Sequence, residues 1–93
     1  MEAATERSIV GLEYTILSMQ KRLLCLKKDF YEGKLSAAEE AMRDHRYLDH
    51  SRFAVAANRK GYFEAKLDDL EEQNEKIDRK MAQFLEELVE LDR

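Results

Sequence analysis

The stretch "LDDLEEQNEKIDRKMAQFLEELVEL", residues 67–91, has the apolar spacing of a coiled-coil seam. Its apolar residues follow one another at alternating three- and four-residue steps, which places them on one face of an α-helix. We call this face, extended by one earlier residue, the C-terminal seam and predict that it forms a protein–protein interface. Its members are Phe63, Leu67, Leu70, Asn74, Ile77, Met81, Phe84, Leu88 and Leu91.

Asn74 is the polar member of the C-terminal seam. At the first heptad position, an Asn that pairs with its counterpart on a partner helix fixes register and oligomeric state at a cost in stability. The alternative is a solvated residue at the edge of the seam. The residues just before the first heptad positions are mostly basic, and the residues just after the fourth heptad positions are acidic. These two sets face each other when two such helices run parallel, so they favour parallel pairing. A catalytic role is excluded because an amide has no acid–base function.

Two further apolar stripes lie in the N-terminal part of the chain, both with helical spacing. Because they are about 100° apart on a helix, they predict contacts on two sides, as in an inner member of a helical bundle. The Ile9 stripe consists of Ile9, Leu12, Ile16, Met19, Leu23, Leu26 and Phe30. The Val10 stripe consists of Val10, Leu17, Leu24 and Tyr31.

The first break in the helical pattern is predicted at residues 33–35. Gly33 suits the left-handed position after a helix end, and Ser36 followed by Glu39 has the spacing of a capping box. We therefore expect a first helix over about 5–32, beginning near Thr5, and a second helix that starts at about 36 and returns antiparallel.

The course of the second helix depends on Gly61. The sequence is compatible with two alternatives: a helix over about 36–58 followed by another over 62–92, or a single helix continuous through Gly61, since glycine costs only about 1 kcal/mol there. The sequence thus predicts one all-α domain over residues 1–93, a helical hairpin or a three-helix bundle with coiled-coil-like packing. A continuous second helix would be longer than the first and would leave part of its apolar face exposed to water. We therefore expect oligomerisation to cover that face.

The composition limits the class of protein and its location. Charged residues make up 39% and hydrophobic residues 44% of the chain, which is too apolar for a disordered segment. The single Cys25 excludes an internal disulfide, and the N-terminus "MEAATERS" lacks the apolar region of a secretory signal. No apolar run approaches the roughly 20 residues that span a bilayer. We expect a cytoplasmic protein without a membrane span.

Residues 43–60 form a basic segment, with five basic and two acidic side chains. The basic side chains, which we predict to contact a partner or phosphate, are Arg43, Arg46, Arg52, Arg59 and Lys60. Interleaved aromatic residues suggest nucleic-acid binding as an alternative function. The strongly acidic residues 61–93 argue against it, because they would repel a phosphate backbone. A seven-residue repeat predicts the core side of this region at Ala41, Leu48, Val55 and Tyr62.

The sequence contains no arrangement of residues that indicates catalysis or metal binding. His45 and His50 are about 140° apart on a helix and do not share a face. Cys25 has two lysines nearby but no identifiable base. We therefore expect no enzyme, cofactor, metal or small-molecule substrate. The predicted function is a helical interaction module, an adaptor, scaffold or chaperone, that binds itself as a homodimer or higher assembly, or a helical protein partner.

Overall fold

The computed structural model describes the backbone of residues 2–93 and the side chains of residues 4–93. It contains two α-helices, α1 over Glu2–His45 and α2 over His50–Leu91, and no strand within the described residues. This confirms the all-α prediction in the form of a helical hairpin. The three-helix alternative is wrong, because α2 passes through Gly61 without a break.

The turn predicted at residues 33–35 is wrong. Gly33 lies inside α1, and no glycine within the described residues has a positive φ, so it does not end a helix in the left-handed conformation. Ser36 is likewise a helical residue rather than an N-cap. Glycine inside a helix costs only about 1 kcal/mol. Burial of Ala38, five residues after Gly33, offsets this cost. A turn at Gly33 would remove Ala38 from the α1 face that it shares with Tyr31.

The chain reverses at residues 46–49 instead. Asp49 is the N-cap of α2: its Oδ1 accepts a hydrogen bond from the backbone N–H of Arg52 at 3.1 Å. That hydrogen bond holds the pKa of the Asp49 carboxyl below its usual value, and the positive charge of Arg52 acts in the same direction. At the other side of the turn, Arg43 and His45 lie in the last turn of α1, where the helix dipole favours basic residues.

The chain divides into two compact units, the first formed by Met1–Leu24 with Glu72–Arg93. In this unit Val10, Leu17 and Leu24 of the Val10 stripe are the buried residues of α1. Two ion pairs join the segments of this unit: Lys21 of α1 with Asp78 of α2, and Arg7 of α1 with Asp92, directly after α2, at 2.5 Å. The two residue numbers add to the same total in both pairs. The two helix segments of this unit therefore run antiparallel in one register.

The second unit, Cys25–Glu71, contains the turn. The Val10 stripe continues along α1 through Tyr31 to Ala38, at the same seven-residue spacing, and Ala38 is buried together with Ala56 and Leu70 of α2. The rings of Tyr31 and Phe63 have centroids 6.1 Å apart. The same face of α1 therefore packs against α2 in this unit as well. That the whole chain forms a single domain over residues 1–93 stays a prediction.

The predicted core stripe of the middle region is wrong. Leu48, Val55 and Tyr62 are exposed. The seven-residue repeat has meaning only along one continuous helix. The turn at 46–49 separates Ala41 on α1 from Val55 and Tyr62 on α2. These residues consequently do not share a helix face.

Candidate functional site

The Ile9 stripe is exposed along its whole length. The exposed fraction of its seven side chains ranges from 50% at Leu23 to 68% at Leu26. The Val10 stripe, one residue further along the helix, is the face that packs against α2, so the Ile9 stripe is turned about 100° away. The sequence shows two apolar faces on α1 but does not say which one packs within the chain. The face with the more complete heptad pattern, the Ile9 stripe, is the one in contact with solvent.

The C-terminal seam packs against α1 of the same chain. Leu70 is buried and the other eight members are half-buried. In the first unit, Leu91 lines a groove together with Val10, and Phe84 lines another together with Leu17. The structure thus uses this seam inside the hairpin. Its predicted role in contacts with another chain stays a prediction.

Asn74 is half-buried in the C-terminal seam. It lies three residues before Ile77 and four after the buried Leu70, on the same face of α2. No buried side-chain nitrogen or oxygen within the described part of the chain lacks a hydrogen-bond partner. Asn74 therefore interrupts the apolar layer between the two helices without leaving a buried amide unsatisfied.

Two grooves of the first unit border the Ile9 stripe. The larger, of ≈ 660 Å³, is lined by Ile9 and Val10 on one side and Leu91 on the other. Its polar lining includes four carboxylates, from Glu6, Glu86, Glu87 and Glu90. The smaller, of ≈ 340 Å³, includes Ile16 and Phe84 in its lining. The stripe therefore has an apolar surface with an acidic edge near its N-terminal end.

A basic groove of ≈ 620 Å³ lies in the second unit. Of the five basic residues predicted to contact a partner or phosphate, Arg52 and Arg59 line this groove, whereas Arg43, Arg46 and Lys60 do not. Lys34 and His45 of α1 also line it. These two residues are absent from the predicted set because they lie on the other helix, and local spacing does not show which helices pair.

Two of the predicted basic residues have local interactions. Arg52 forms an ion pair with Asp49, with 3.4 Å between Nε and Oδ2. The guanidinium carbon of Arg46 lies 5.7 Å from the ring centroid of Tyr47 in the turn. The charge of Arg52 is thus partly balanced by a neighbour on its own helix end, which weakens its attraction for an added anion.

Within the described residues, no group of three or more His, Cys, Asp or Glu side chains is placed to hold a metal ion. Cys25 is exposed on α1. Neither described helix has an apolar stretch of the length needed to cross a membrane.

Comparisons with protein-family models, with curated proteins and with solved structures found no match for this chain. The exposed Ile9 stripe and the grooves are therefore the features on which a function can rest.

Proposed function

We propose that this protein is a non-enzymatic helical interaction module, acting as an adaptor, scaffold or chaperone, that binds another helix through the Ile9 stripe. The observation that carries the proposal is the exposure of seven large apolar side chains, spaced as a coiled-coil seam, on one face of α1. A partner helix with the same spacing would place its own apolar side chains between them.

The extent of exposed surface supports this proposal. The chain has a mass of 11.0 kDa and exposes 7360 Å², whereas a compact monomer of this mass exposes roughly 5,600 Å². None of the large side chains that the structure describes is completely buried. Monomeric proteins rarely leave a contiguous apolar strip of this kind in water. Association would supply the burial that the hairpin itself lacks.

The proposed mechanism is burial of a helix on an apolar surface. The side chains of the Ile9 stripe would provide the binding free energy, and the charged residues along its edges would set the orientation of the partner. The C-terminal seam would stay packed against α1 during binding. The proposal keeps the partners expected from the sequence, a second copy or another helical protein, and the expected cytoplasmic location.

Site-specific photo-crosslinking in cells tests the proposal. A photoreactive residue at Met19, in the middle of the Ile9 stripe, should form adducts with a protein partner, either this chain or another. The matched control places the same residue at Asn58, which is exposed on α2. Equal adduct formation at the two positions would contradict a binding role for the stripe. Met19→Glu should abolish the adducts of a photoreactive residue at Ile16, whereas Asn58→Glu should not.

A second candidate function is the binding of nucleic acid at the basic groove. The observation that favours it is the meeting of Lys34, Arg52 and Arg59 from two helices at one groove. Binding of RNA or DNA at low salt, lost in Arg59→Glu but kept in Arg43→Glu, would support this function. Absence of binding at low salt would exclude it.

A further inference from the structure

We propose that the occupant of the Ile9 stripe is the Ile9 stripe of a second copy of this chain, running antiparallel to the first. The inference rests on the proposed function, in which this stripe is a helix-binding surface. A two-fold contact of this kind brings the same surface of both copies together, so the residues along the stripe must complement themselves. The charges beside the stripe meet that requirement.

One edge of the stripe has charges that change sign along the helix. Its residues repeat every seven positions: Glu6, Glu13, Gln20, Lys27 and Lys34. α1 is one unbroken helix over all of them, so they follow the same edge. The edge is acidic at its N-terminal end, neutral at Gln20 and basic at its C-terminal end.

Antiparallel pairing places this edge of one copy against the same edge of the other. With Gln20 opposite Gln20 of the second copy, Glu13 faces Lys27 of that copy and Glu6 faces Lys34. Two-fold symmetry doubles both contacts, which makes four attractive pairs. Within the described residues, neither Glu13 nor Lys27 forms an ion pair inside the chain. Both are therefore available to a second copy.

Parallel pairing is less favourable. It would place Arg22, on the opposite edge of the stripe, beside Lys27 of the second copy, once on each side. The attraction between Asp29 and Lys34 in that arrangement only balances this repulsion. The antiparallel arrangement has a single like-charge contact, between Arg22 and its own counterpart, against the four attractive pairs. Charge complementarity therefore selects the antiparallel orientation.

The apolar residues fit the same antiparallel register. It pairs Met19 with Leu23, Ile16 with Leu26, and Leu12 with Phe30 of the second copy.

Ile9 then lies opposite Gly33, the next stripe position after Phe30. A Cβ added at Gly33 would meet no atom within 4 Å, so this position has open space for the side chain of Ile9. The Lys34 ammonium lies 5.5 Å from the Phe30 ring centroid, beside the last apolar member of the stripe.

Sedimentation equilibrium of charge variants tests the inference. Glu13→Lys alone and Lys27→Glu alone each turn two attractive pairs into repulsive ones, so each should weaken self-association ~10-fold. The double variant Glu13→Lys/Lys27→Glu should recover the wild-type dissociation constant. A mixture of the two single variants should form heterodimers in preference to either homodimer, because each variant complements the other. Equal dissociation constants for the wild type, the two single variants and the double variant would overturn the register.

Disulfide trapping reports orientation independently. In a Cys25→Ser background, Gln20→Cys should form a disulfide-linked dimer, because the two Gln20 positions face each other in antiparallel pairing. Leu12→Cys should not, because its counterpart lies far along the helix. Efficient linkage at Leu12 instead of Gln20 would overturn the antiparallel arrangement while leaving the proposed helix-binding function intact.

Two results separate the second copy as the occupant from the helix-binding function of the Ile9 stripe. A wild-type chain that stays monomeric up to ~1 mM would overturn the second copy as the occupant. If the photoreactive residue at Met19 then still links another protein, the helix-binding function stands. If it links nothing beyond the Asn58 control, both proposals are overturned.

Discussion

The carboxylate of Asp49 accepts a hydrogen bond from the backbone N–H of Arg52, and this contact starts α2. We predict that Asp49→Ala lowers the melting temperature, because the first turn of α2 then loses its cap. Asp49→Asn should lower it much less, since an Asn side chain caps a helix about as well. Thermal unfolding followed by circular dichroism measures both. Equal losses in the two variants would show that charge, not capping, is the contribution of Asp49.

The same contact predicts a dependence of stability on pH. The pKa of Asp49 is lowered in the folded chain by the Arg52 backbone hydrogen bond and by the Arg52 charge. A lowered folded-state pKa contributes stability above the unfolded-state value of about 3.9, and this contribution disappears as pH falls through the folded-state pKa. Melting temperatures of the wild type and Asp49→Asn should therefore converge as pH falls from about 5 to about 2, because the Asp49 carboxylate becomes protonated over this range.

The neighbours Leu23 and Leu24 offer a matched pair of substitutions. Leu24 is 7% exposed and Leu23 is 50% exposed. In samples dilute enough to be monomeric, Leu24→Ala should lower the free energy of unfolding by about 2–4 kcal/mol, because it leaves a gap against α2. Leu23→Ala should change it by less than about 0.5 kcal/mol. Urea unfolding measures both changes. The opposite ranking would mean that the Ile9 stripe, rather than the Val10 stripe, packs against α2.

Gly33 gives a test of the turn position. Because Gly33 lies inside α1 and an added Cβ would meet no atom within 4 Å, Gly33→Ala should stabilise the monomer by about 0.5–1 kcal/mol. Gly61→Ala, inside α2, is the control and should give a similar gain. A left-handed turn at Gly33 would instead make Gly33→Ala destabilising while Gly61→Ala still stabilised. In urea unfolding, the sign of the change in the free energy of unfolding caused by Gly33→Ala separates the two cases.

Asn74 lies in the layer between the helices, so Asn74→Leu should raise the free energy of unfolding by about 1 kcal/mol through added apolar burial. Asn58→Leu, on the exposed side of α2, is the control and should give no comparable gain. The comparison requires only melting curves of the two variants. Destabilisation by Asn74→Leu would show that its amide makes a contact that the hairpin needs.

Helical periodicity was sufficient to predict the class of fold and the packed face of α2. Leu70 and the other members of the C-terminal seam do point toward a helix. Periodicity could not identify the partner, because a seam looks the same whether it packs within or between chains. The same limit applies to α1, where the better heptad pattern belongs to the exposed Ile9 stripe.

The predicted turn at residues 33–35 is wrong because the local signals there take no account of the packing further along α1. Gly33 and Ser36 resemble a helix end and a helix start, and each signal is worth about 1 kcal/mol. The competing signal was also present in the sequence: the seven-residue spacing of the Val10 stripe continues through Tyr31 to Ala38. Asp49 has an N-cap residue type, but the residue three positions later is Arg52 rather than an acidic partner, so it forms no capping box.

The position of the turn also has a consequence for the order in which the hairpin closes. Contacts between the helices join residues ever farther apart in the chain, from Tyr31 and Phe63 to Lys21 and Asp78, 57 residues apart, and Arg7 and Leu91, 84 apart. Larger loops cost more entropy to close. Pairing should therefore start beside residues 46–49 and zip toward the chain ends. In native-state hydrogen exchange, the amides near the two termini should open first and those around Ala38 and Ala56 last.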